Sequence, residues 1–234
     1  MKALFLFDID GTILSLKCYH SKHLFYRAFT DLFGKCAEPD IMPHFSGMTD
    51  LQIIDDLCGL SELPRDYVFS RISELWKRLS EIFVADMNID NVVLMPHIEE
   101  FLEYLQLRND VTVALVTGNF RENAYLKLGL FGLDKYFETG AFGSDEANRN
   151  LLPSIAIERA NKLYGENFTN ADSVIIGDSP SDIKCAKASK CISVGVATGW
   201  HSTEVLSALK PDFLYENFAD YERKTDEIMN RIRK

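Results

Sequence analysis

The chain lacks any pairing pattern for its cysteines. Cys18, Cys36, Cys58, Cys185 and Cys191 are odd in number, lie far apart, and form neither a C-x-x-C pair nor a zinc pattern with the five histidines. That argues against a disulfide framework and a structural zinc site, and the thiols read as reduced groups of a cytosolic protein. Positive charge is also short: 25 Lys and Arg stand against 35 Asp and Glu, a formal charge of -10. No global basic field exists to hold nucleic acid, so an anionic ligand requires a local cationic pocket. Long apolar runs are missing too. The opening "MKALFLF" is cut short by Asp8, too soon for a signal peptide or a membrane span, and no other segment reaches bilayer length. Internal repeats and low-complexity linkers are absent. The triplet "NFT" at Asn167 matches a glycosylation acceptor, which a cytosolic chain never presents to the enzyme.

What is present is a chain of 234 residues with 47% hydrophobic content, enough for one large α/β domain or a medium domain carrying a smaller one. Three short apolar runs end in oxygen-rich residues: "ALFLFDID" (3–10), "VTVALVTGN" (111–119) and "DSVIIGDSPSD" (172–182). Each reads as a buried parallel strand. "CISVGVATG" (191–199) reads as a fourth and "DFLYEN" (212–217) as a fifth. Helical patterns separate them, among them "HIEEFLEYLQL" (97–107), introduced by Pro96, and "PSIAIERANKLYG" (153–165), bounded by Pro153 and Gly165. Strands alternating with helices predict an α/β fold with a doubly wound parallel sheet, whose ligands gather beyond the carboxyl ends of the strands. From Leu16 to about Val84 the pattern turns helical, as in "TDLQIIDDLCGL" and "YVFSRISELWKRLSEIFVADM". The expected organisation is a catalytic core over 1–15 and 86–234 with a small α-helical domain inserted over 16–85.

In "FLFDIDGTIL" Asp8 and Asp10 would face one point if the strand ran on unbroken, and two carboxylates that close repel unless a cation or a shared proton intervenes. Gly11 lets the backbone turn, and Thr12 sets a hydroxyl beside the pair. The bland readings are a solvated strand end for the acids, a turn residue for Thr117, and a capped helix start for "GDSPSD". His20 and His23, three apart, could bind a metal but read as solvated or substrate-facing. Thr49 or Asp50 reads as a helix cap, and Phe69, Ile72 and Trp76 read as the core of the helical segment.

Taken together, the order D-x-D-G-T (Asp8, Asp10, Gly11, Thr12), "VALVTGN" ending in Thr117, and "IIGDSPSDI" with Gly177, Asp178 and Asp182 resembles the haloacid dehalogenase-like hydrolases, in the branch of phosphoglycolate phosphatase and β-phosphoglucomutase. The resemblance covers the whole chain, the insertion matching the family's helical cap on a Rossmann-like core. It implies Asp8 as nucleophile, Asp10 as acid and then base, and Thr117 with the N–H groups of Gly118 and Asn119 on the phosphoryl oxygens. Gly11 and Thr12 would lie beside them. Asp8, the Asp10 carbonyl and Asp178 would hold Mg2+, oriented by Asp182. The motif's cation is read as Arg149, with Arg159 and Lys162 as rivals inside the next helix. Departures are "GTILSLK", where relatives often carry Asp-Ser, and His97, where a glycine is common.

The expected activity is a magnesium-dependent phosphatase acting on a small phosphomonoester. The rival readings are a mutase passing the phosphoryl group to a sugar hydroxyl and a non-enzymatic phospho-aspartate signalling module. The expected partner is a small-molecule phosphoester, with no nucleic acid and no membrane, and the expected assembly is a monomer or homodimer. No cap loop carries a motif that names the phosphoester.

Overall fold

The computed structural model describes residues 2–16, 21–87 and 92–233; Cys18 and His20 lie outside the described residues. In chain order the elements are β1 (Ala3–Phe7), β2 (Leu14–Leu16), α1 (Ser21–Phe33), α2 (Asp50–Leu60), α3 (Arg65–Ser70), α4 (Ile72–Asp86) and β3 (Val92–Leu94). There follow α5 (Ile98–Leu107), β4 (Val111–Val116), α6 (Arg121–Gly129), β5 (Gly140–Ala141), α7 (Leu152–Tyr164) and β6 (Ser173–Gly177). The chain continues through α8 (Pro180–Ser189), β7 (Ile192–Val196), α9 (Thr203–Ser207), β8 (Phe213–Tyr215) and α10 (Tyr221–Ile232).

Six strands form one sheet in the order β5-β4-β1-β6-β7-β8, and every pairing in it is parallel. β1 lies in its middle, with Phe7 opposite Leu115 of β4 and Ile176 of β6. Side chains alternate along it as a period of two demands. Ala3, Phe5 and Phe7 pack with residues of α5, α6 and α10, whereas Leu4 and Leu6 pack with residues of α7 and α8. A central strand covered on both faces must be apolar throughout, which is why "ALFLF" shows no polar alternation. Phe5 and Phe7 are fully buried, each such side chain stabilising the fold by about 1.5–3 kcal/mol.

Helices α1 to α4 gather around a separate apolar cluster that includes Phe29, Leu57, Leu75 and Phe83, with Phe69, Ile72 and Trp76 packed against it. Phe120, just ahead of α6, joins this cluster, and its ring stacks on Trp76 with centroids 4.7 Å apart. The chain leaves the sheet through β2 and returns through β3, and these two pair antiparallel, Leu14 opposite Leu94. Among the described residues no helix is long and apolar enough to cross a membrane.

The local signals act where expected. Pro153 stands in the first turn of α7, and Gly165 ends it in the left-handed region at φ 67°. His97 precedes α5 at φ 65°, a backbone state that glycine enters freely and histidine enters at a cost, so the departure at this position is a matter of backbone strain. Thr49 caps α2 by accepting from the Gln52 N–H.

Candidate active site

Because β4, β1 and β6 are neighbours, their carboxyl ends deliver Thr117, Asp8 and Asp178 to one edge although they are far apart in sequence. All three line a cavity of about 370 Å³, together with Asp10, Gly11, Gly118, Asn119 and Arg149. The cavity extends to α1 and to the segment before α2, through Phe25 and Met48, and the exposed Trp200 stands at its edge.

β1 stops at Phe7, so strand alternation does not carry through to Asp10. Gly11 turns the chain at φ 85°, and the N–H groups of Thr12, Ile13 and Leu14 all donate to the Ile9 carbonyl. A β-carbon on Gly11 would lie 2.4 Å from an Asp178 oxygen, so both the turn and the close approach require glycine here. The two acids consequently face different cations. Arg149 Nη2 donates to Asp8 Oδ1 at 3.0 Å and to Asp182 Oδ1 at 2.5 Å. Asp10 is instead gripped by Lys127, whose Nζ stands 2.7 Å from each of its carboxylate oxygens.

Asp8, Asp178 and Asp182 are all buried, and each offers an oxygen within 4.8 Å of the others. Asp182 also completes a capping box, its Oδ2 accepting from the N–H and hydroxyl of Ser179. The helix-start reading of "GDSPSD" and its place in the acidic cluster therefore hold for the same side chain. Burial, with repulsion from Asp182, raises the pKa of Asp8 to about 7 against the pull of Arg149. Burial, then Asp182 and Asp8, raises Asp178 to about 8. Burial opposes the charge of Arg149, yet Asp182 and Asp8 outweigh it and raise its pKa above the ordinary value. Three carboxylates against one guanidinium leave an excess of negative charge made entirely of hard oxygen donors, which suits a small divalent cation.

The remaining expected residues are placed as follows. Thr117 is fully buried, and its Oγ1 accepts from Asn119 Nδ2 at 2.8 Å. Thr12 is fully buried as well and does not border the cavity; its hydroxyl donates to Asp178 Oδ1 at 3.3 Å. Among the rivals to Arg149, Arg159 is tied to Asp145 and to the Gly140 carbonyl, and Lys162 is exposed. Arg149 itself is buried where the acids meet.

Two residues of this site escaped the sequence reading. Lys127 is one, on a helix where a lone lysine ordinarily faces water; the signal was its spacing of four and eight from Asn123 and Asn119. Asp50 is the other: its place at a helix start explains an acid there by local capping, yet its Oδ2 accepts from the Phe120 N–H at 2.8 Å inside the cavity wall. Asn123 lies beside them, buried, with an Oδ1 that finds no partner among the described residues.

A family model described as haloacid dehalogenase-like hydrolase matches residues 5–196. The phosphoglycolate phosphatase of Salmonella typhi is 28% identical over 144 residues, 62% of this chain and 56% of that protein. The chain thus spans just over half the length of the curated relatives it matches. Among solved structures, a predicted phosphatase from Clostridium acetobutylicum aligns with a TM-score of 0.69 at 17% identity, covering 97% of this chain and 99% of that one. A β-phosphoglucomutase from Clostridium difficile aligns at 0.68 and 18% identity, covering 100% and 98%. At these identities the structural likeness speaks for the fold.

Proposed function

The chain belongs to the haloacid dehalogenase-like hydrolases, and on that premise we propose that it is a magnesium-dependent phosphatase releasing phosphate from a small phosphomonoester. The observation that carries this reading is the pair of acids on one cavity wall with separate partners, Asp8 beside Arg149 and the acidic cluster, Asp10 apart with Lys127. One acid is placed to attack while the other is placed to move a proton.

In this reading Asp8 attacks phosphorus in line and carries the phosphoryl group as an aspartyl phosphate. Asp10 gives a proton to the departing oxygen and afterwards takes one from the attacking water. The Thr117 hydroxyl and the N–H groups of Gly118 and Asn119 hold the phosphoryl oxygens, and Arg149 balances the charge shared by Asp8 and the phosphate. Asp8 and Asp178 with the Asp10 carbonyl would hold Mg2+, braced by Asp182 and Thr12. Bound there, the ion supplies charge neutralisation at the phosphoryl oxygens. Residues 16–85 serve as the cap that excludes bulk water and selects the leaving group.

The test is a screen of small phosphoesters with Mg2+, reading free phosphate. The expected outcome is release from at least one, falling below about a thousandth of the parent rate in Asp8→Asn. Phosphate release that survives this substitution overturns the nucleophile. Transfer between sugar hydroxyls with little free phosphate would instead make the chain a mutase. Acquisition of phosphate on Asp8 without turnover would point to a signalling module.

A further inference from the structure

A buried lysine is costly unless its charge is paired and its donors are used. The Lys127 side chain is only 6% exposed, and its ammonium meets three acceptors at 2.7 Å: both oxygens of Asp10 and the Oδ1 of Asn119. Three donors and three acceptors leave nothing over. Asn119 closes the arrangement, since its Nδ2 donates to Asp10 Oδ2 at 2.7 Å and to Thr117 Oγ1 at 2.8 Å. The Asp10 side chain keeps 43% of its surface open and borders the cavity. It is held from one side and presented on the other. Arg149, the cation of the acidic cluster, has no part in this grip.

We propose that Lys127, with Asn119, is a positioning residue that fixes the Asp10 carboxyl group against the leaving-group oxygen of the substrate. This rests on the reading of Asp10 as proton donor given above. In the step concerned the Asp8 oxygen forms a bond to phosphorus while the bond from phosphorus to the leaving oxygen breaks. The electron pair stays on that oxygen, and a proton that Asp10 has taken from solvent on its open, cavity side moves onto it. Without Lys127 only the Asn119 Nδ2 bond to one oxygen still holds the carboxyl group, and the proton is no longer delivered along that line. The cost falls on leaving groups that need the proton.

The experiment compares kcat/KM for 4-nitrophenyl phosphate, whose leaving oxygen departs unprotonated, with that for the best alkyl phosphate found in the screen. Because kcat/KM runs only to departure of the alcohol, hydrolysis of the aspartyl phosphate does not enter. In Lys127→Met the ratio of nitrophenyl to alkyl activity is expected to rise at least about 30-fold, a fraction of the roughly 100-fold or more that a positioned acid contributes. In Lys127→Arg, which keeps the charge and the donors, it is expected to return to within about threefold of the parent. If Lys127→Met does not fold, as circular dichroism would show, Lys127→Gln carries the same comparison. A uniform loss on both substrates, or no change on either, overturns the proposal. Asp10→Asn separates the two layers. It should raise the ratio at least as far, and if it leaves the ratio unchanged the proton-donor reading of Asp10 fails and the role of Lys127 goes with it. A raised ratio in Asp10→Asn alone removes only Lys127.

Discussion

At the scale of single residues, Asp50 is the clearest case of an acid whose environment opposes its charge. It is 8% exposed, and burial raises its pKa to about 7 despite the Phe120 N–H and the nearby Lys127, while Asp10 adds to the rise. An unfolded chain would ionise this group near 3.8. Between about pH 4 and pH 7 the folded protein therefore keeps a proton that the unfolded chain releases. The stability this group contributes is full below the unfolded value, declines as pH rises toward 7, and is flat beyond. Asp50→Asn keeps an acceptor for the Phe120 N–H and removes the titration. The variant should gain on the parent by about 1–3 kcal/mol between pH 5 and pH 8, since each pKa unit corresponds to about 1.4 kcal/mol. Urea melts of both proteins at the two pH values measure this. A difference that stays the same at pH 5 and pH 8 would remove the argument, because Asp8 and Asp178 titrate in both proteins and cancel.

At the scale of elements, the start of α2 and the residue before it are seated on the sheet edge by hydrogen bonds. The Asp50 N–H donates to the Gly118 carbonyl at 2.8 Å, the Leu51 N–H to the Gly143 carbonyl at 3.2 Å, and the Thr49 hydroxyl to the Ala147 carbonyl at 2.7 Å. Gly118 permits the contact, for a β-carbon there would lie 2.1 Å from the Met48 carbonyl oxygen. Gly118→Ala should push the segment away from the cavity and lower kcat/KM at least about tenfold, since a displacement near 1 Å is enough for such losses. The helical content should be kept; parent-like turnover in this variant would show that the seating does not matter. These contacts also mark what local pattern conveys. The apolar runs located β1, β4, β6, β7 and β8, and β1, β4 and β6 end before their runs do because the trailing polar residues turn into the site. β2 and β3 have three residues each and β5 has two, too short for any periodicity, so only their partners' backbones define them.

At the scale of the whole molecule, the acidic excess of the sequence recurs in concentrated form at the centre, where Asp8 and Asp182 share one guanidinium and Asp178 lies beside them. The acids were legible because each follows an apolar strand, so that local order already set their neighbours. Lys127 was not, because whether a helical lysine faces water or a carboxylate depends on what the fold brings against it. Folding thus assembles a negative cluster that the unfolded chain does not have, and a cation binding there stabilises the folded state alone. At a concentration 100 times its dissociation constant this amounts to about 2.7 kcal/mol. For a chain of this size that is a rise in Tm of about 5–10 °C. The ligands must be ionised to bind, and burial with mutual repulsion holds Asp8 at about 7 and Asp178 at about 8, so the rise should be larger at pH 8 than at pH 6. Asp178→Asn, which removes one ligand and one charge, should melt higher than the parent in EDTA yet gain little from Mg2+. Thermal melts of both proteins at the two pH values, with EDTA or millimolar Mg2+, decide the matter; a parent whose Tm at pH 8 is the same in EDTA and in Mg2+ would mean that Arg149 alone balances the cluster.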